Sequence, residues 1–98
     1  MININGEVWN IWLVFPHHPL LLMRNGNYAI GVCDDPLKII AINYELDHYL
    51  MKKVLCHEIT HAAMFSYNVD LSHAQEELVA DLISTYGQEI IKITNQFM

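Results

Sequence analysis

The sequence predicts an α+β fold, a small antiparallel sheet of three to four strands within residues 1–43 packed on two main helices at residues 47–66 and 73–95. Three observations predict it. Runs rich in β-branched and aromatic residues, separated by turn signals, fill the first 43 residues. From about Asp47 the apolar residues recur at steps of three and four instead, the period of a helix. A Ser72 followed three positions later by Gln75 then opens a second stretch of the same period with a capping-box pattern. At 98 residues the chain is the size of one domain, so a single core and a single site are expected over residues 1–98.

Taken in order, Val8 to Val14 reads as a strand that ends at Pro16-His17-His18-Pro19, a segment unable to continue a ladder. Leu20 to Met23 and Tyr28 to Cys33 flank Arg24-Asn25-Gly26-Asn27, whose Asn-Gly supplies the positive φ angles of a tight hairpin turn. Asp34-Asp35-Pro36 makes a further turn into the short apolar strand Lys38 to Asn43. Leu50, Val54, Leu55, Ala62 and Phe65 share one broad face of the first helix, which ends near Ser66. Leu78, Val79, Leu82, Ile83, Tyr86, Ile90 and Ile93 trace the apolar stripe of the second, where Gly87 is a point at which the helix is able to kink or split.

Composition narrows the function classes. Eleven acidic residues against five basic ones give a net charge of −6, and the largest cationic cluster is Lys52-Lys53, which argues against a nucleic-acid partner. No apolar run reaches the length of a membrane span, and the start lacks a basic region and a small-residue cleavage site, so a cytoplasmic protein is expected. Cys33 and Cys56 lack zinc-knuckle spacing and are read as reduced, buried thiols.

The chemistry concentrates in His57-Glu58-Ile59-Thr60-His61, an H-E-x-x-H motif inside the first helix. Positions four apart on a helix differ by about 40° and one turn of rise, so both imidazoles can reach one metal ion. Glu58 then lies beside the ion without ligating it, placed to take a proton from a water that the cation has made acidic. A catalytic zinc commonly takes three protein ligands, so a third donor is needed. Glu77 and Asp81 lie four apart on the second helix, with Ala80 between them allowing a close helix–helix approach. Glu77 is the preferred ligand and Glu76 the competing one, since only Glu77 shares a face with Asp81. Asp81 is expected to accept a hydrogen bond from the outer nitrogen of His57.

HEITH followed by EELVAD resembles the gluzincin pattern, in which H-E-x-x-H is completed downstream by E-x-x-x-D, as in thermolysin-like peptidases. In size and layout the chain is more similar to compact phage and mobile-element peptidases related to the ImmA/IrrE group, over roughly Cys33 to Ile93. The resemblance implies a minimal zincin-like domain that holds Zn2+ with His57, His61 and Glu77 and uses Glu58 as base to cleave a protein substrate, such as a regulatory phage or host protein. An extended substrate segment is expected to add to the sheet edge at Lys38 to Asn43. For the oxyanion, Tyr67, His73 and Tyr86 are the candidates. His17-His18 reads as an exposed loop, His48 as surface and Cys56 as core. The alternative is a zinc-binding phage-type interaction or inhibitor module with little catalysis.

Overall fold

Alternation in Ile2-Asn3-Ile4, followed by Asn5-Gly6, encodes a hairpin at the very start of the chain. A computed structural model describes residues Met1–Met98. In it β1 (Ile2–Ile4) pairs antiparallel with β2 (Glu7–Val14) through Asn5 and Gly6, whose φ angles of 50° and 84° are those of a two-residue primed turn. The second Asn-Gly behaves differently. Gly26 has φ of 85°, but residues 22–28 close with one isolated bridge, Leu22 to Tyr28, inside a loop that also holds a 3-10 turn at Pro19–Leu21. β3 (Gly31–Asp34) and β4 (Ile39–Asn43) complete a four-stranded sheet in the order β1-β2-β4-β3.

The α+β class holds, while the sheet is mixed and not wholly antiparallel. β4 lies between β3, which it pairs antiparallel, and β2, which it pairs parallel with Asn10 opposite Ile39 and Val14 opposite Asn43. The long loop after β2 carries the chain past its neighbouring position, and the β3–β4 turn folds back into the gap. Four consecutive buried residues, Ile39 to Ile42, are the mark of a strand covered on both faces. The segment Lys38 to Asn43 is therefore interior to the sheet and offers no edge to a peptide; β1 and β3 are the edges.

On one face, Trp9, Ile40 and Ile42 pack with Ala62 of α1 (His48–Ser66); on the other, Val14 and Ala41 are covered by Leu21 of the loop. Asp47 caps α1 by accepting from Leu50 N at 2.8 Å. The far end of α1 is tied to the first hairpin: the fully buried Trp9 donates its indole N–H to Ser66 Oγ at 2.8 Å, and Asn5 Nδ2 donates to Ser66 O at 2.9 Å. Midway, Gly31 lets β3 approach α1, because a Cβ there would stand 2.5 Å from Val54 Cγ1 and 3.3 Å from Glu58 Cγ.

α2 (His73–Asn95) begins with the capping box that the sequence predicts, Ser72 and Gln75 bonding reciprocally, and it runs unbroken through Gly87. Its seating departs from expectation. Ala80 is its one buried residue, and Ser84 and Gly87 continue the half-buried side. The apolar stripe predicted for the core faces outward: Leu78, Leu82, Ile83, Tyr86, Ile90 and Ile93 are all exposed. Ala80 and the acidic Glu76, Glu77 and Asp81 face α1 instead. No helix is long and apolar enough to cross a membrane.

Replacing Ser66 by Ala strands the indole N–H of Trp9 in the core. The expected cost is about 1–3 kcal/mol, read as a lower urea midpoint at unchanged m-value.

Candidate metal centre

His57 and His61 stand one turn apart on α1, and α2 returns antiparallel after residues 67–72, so that His61 meets Glu76 and Glu77 while His57 meets Glu77 and Asp81. Ala80 at the contact has no side chain long enough to hold the helices apart. Glu77 and Asp81 share a face by their spacing of four. Local sequence periodicity on two helices thus aims two imidazoles and three carboxylates at one place.

Donor atoms from His57, His61 and Glu77 all lie within 4.8 Å of one another. The Nε2 atoms of the two histidines are 3.2 Å apart, Glu77 Oε1 is 2.8 Å from His61 Nε2, and Glu77 Oε2 is 3.4 Å from His57 Nε2. Tetrahedral zinc with bonds of about 2.0–2.1 Å separates its donors by about 3.3–3.4 Å; the His57–His61 and His57–Glu77 separations lie near that span, while the His61–Glu77 contact is shorter, at hydrogen-bond length. The outer nitrogens have their own partners. His61 Nδ1 donates to Glu76 Oε1 at 2.7 Å, and Asp81 Oδ1 lies 3.2 Å from His57 Nδ1. A carboxylate oxygen thus faces each ring nitrogen of His61, that of Glu76 at Nδ1 and that of Glu77 at Nε2. Lone pairs of two imidazoles and a carboxylate converging at these distances repel unless a cation or protons lie between them. The three residues could form a metal-binding site, with Glu76 and Asp81 behind the imidazoles.

Glu58 is 6% exposed, its side chain lying under Gly31 of β3. Burial raises its carboxyl above the ordinary value, the charge of His57 and His61 pulls it back, and Glu77 pushes it up again. It faces a cleft of about 840 Å³ that runs between Gly31, Val32 and Cys33 of β3 on one side and the two helices on the other.

Of the remaining sequence candidates, His73 lines this cleft, whereas Tyr67 and Tyr86 do not and are exposed. His18 accepts from Leu20 N to cap the 3-10 turn, and His17 packs edge-on against Tyr28, both outside the cleft. His48 is exposed; Cys56 is partly buried and free, as is Cys33. Glu76, the competing ligand, contacts Nδ1 of His61, the ring nitrogen turned away from His57. Among the cleft residues that the sequence does not mark as part of the site are Gly31, whose close approach only the tertiary fold creates, and Lys53, four positions before His57 and so on its helix face. No protein-family model matches the chain, and comparison with curated proteins and with solved structures gives no match.

Cys33 tests the electrostatics of the cleft wall. Burial, then the charges of Glu58 and the neighbouring acids, push its thiol up from 9.0 to about 12. Only about one part in ten thousand is thiolate at pH 8, so alkylation of Cys33 by iodoacetamide, followed by peptide mass spectrometry, is expected to be slower than that of a free thiol by orders of magnitude.

Proposed function

We propose that this chain is a zinc-dependent peptidase of gluzincin type, with His57, His61 and Glu77 as zinc ligands and Glu58 as general base. One observation carries the reading: two imidazoles and a carboxylate whose donor atoms cluster within 4.8 Å of one another sit beside a buried carboxylate that is not part of the cluster. A structural zinc site is usually closed by four protein donors and has no use for a base next to its ligands. Bound zinc would polarise the scissile carbonyl and acidify the attacking water.

The chain's own groups divide the remaining work. Glu76 and Asp81 hold the imidazoles turned inward, as carboxylates behind metal-bound histidines do. Glu58 accepts the proton of the attacking water and passes it to the leaving amine. β3 supplies the track for an extended substrate. Asn43 N donates to Ile30 O at 3.0 Å, and by antiparallel alternation Ile30, Val32 and Asp34 bond inward to β4. Gly31 and Cys33 therefore turn their backbone groups toward the cleft side, where a peptide can add as a further strand. An open cleft of this kind suits an unfolded loop of a protein, such as a regulatory phage or host protein.

Two measurements test the proposal. The purified chain is expected to hold about one equivalent of zinc, with Glu77→Ala weakening it more than the roughly 10–100-fold expected for Asp81→Asn in a chelator competition. Glu58→Gln should retain the zinc while its cleavage of a denatured protein pool, read by mass spectrometry, falls at least about 100-fold. A zinc-loaded wild type that cleaves nothing in the pool or in extracts of its native host would sink the peptidase and favour the zinc-binding interaction module.

A further inference from the structure

The outward stripe of α2 has a regularity that exposure alone does not explain. Ile83, Tyr86, Ile90 and Ile93 follow one another at steps of three, four and three, the spacing of a coiled-coil seam, and each is at least 41% exposed; Phe97, also exposed, stands just past the helix end. No charged residue interrupts the seam; between Leu82 and Met98 the only ionised side chains are Glu89 and Lys92.

The amount of surface points the same way. A folded monomer of 11.4 kDa exposes about 5,800 Å² by the usual scaling with mass, whereas this chain exposes 6890 Å². The excess of about 1,100 Å² exceeds the ~800 Å² that each partner contributes to a standard interface. The molecule is correspondingly elongated, 46 × 31 × 27 Å along its principal axes.

We propose that this stripe is a self-association surface, through which two copies of the chain pair about a twofold axis by packing the C-terminal halves of their α2 helices. The seam is the same patch on both copies, as a twofold interface requires, and its knobs meet facing holes at a shallow crossing angle. Beside it a groove between Cys56 of α1 and Ile83, Gly87 and Ile91 of α2 gives the partner's side chains room to enter. Charge selects the occupant. A chain of net charge −6 meeting a copy of itself pays least where its surface is neutral, and this is such a surface. An anionic membrane would ask for several Lys or Arg residues along the rim, where there is one.

Sedimentation equilibrium of the zinc-supplemented full chain, from about 1 to about 100 μM, tests this. The expected mass is twice 11.4 kDa for the wild type and 11.4 kDa for Ile90→Glu, with the far-UV spectrum retained because Ile90 is 52% exposed and supports no core. Should Ile90→Glu lose helix, Ile93→Ser serves in its place. A wild type of 11.4 kDa at every concentration overturns the proposal, as does a folded Ile90→Glu or Ile93→Ser that keeps the doubled mass. Monomeric wild type that co-sediments with phosphatidylcholine vesicles overturns it in favour of a lipid surface.

Discussion

The contact of α2 with the rest of the molecule is polar at its centre. Only Ala80 of its residues is buried, and what joins it to α1 is a set of imidazole–carboxylate contacts: His61 with Glu76 and Glu77, His57 with Glu77 and Asp81. Site and fold are consequently one problem, because the groups that would hold a metal also hold a helix.

α1 can serve as the fixed side of that arrangement because it is pinned at three levels. Asp47 caps its start, Gly31 admits it to the sheet near Val54 and Glu58, and Ser66 at its end receives the indole of Trp9. The first hairpin, remote from the cleft in sequence, thereby sets where His57 and His61 stand. A larger residue at position 31 would push β3 away from the very carboxylate it covers.

What the sequence discloses is local. The H-E-x-x-H spacing, the cap at Ser72 and the i, i+4 relation of Glu77 to Asp81 depend on neighbours within one or two turns, and the structure contains each as read. Strand pairing is set across the molecule, and there the reading fails in a particular way. Both Asn-Gly pairs carry the same turn chemistry, but Asn5-Gly6 joins paired strands, whereas the segments around Asn25-Gly26 meet at one bridge because Leu20 and Leu21 turn down to cover Val14 and Ala41. Nor does local pattern say which strand lies inside. The unbroken apolar run of Ile39 to Ile42 was the available sign of a central strand. Periodicity on α2 correctly marks an apolar stripe but is silent about what covers it, and the side facing α1 is the one with small residues.

The interior position of β4 also governs how this chain can fail. Residues 39–44, Ile-Ile-Ala-Ile-Asn-Tyr, contain no charge and no proline, a composition suited to stacking with copies of itself. On one side the run is screened by β2, on the other by a β3 of only four residues. Fraying of that short strand bares a sticky edge without unfolding the rest, so the chain's resistance to aggregation depends on how firmly four residues stay zipped.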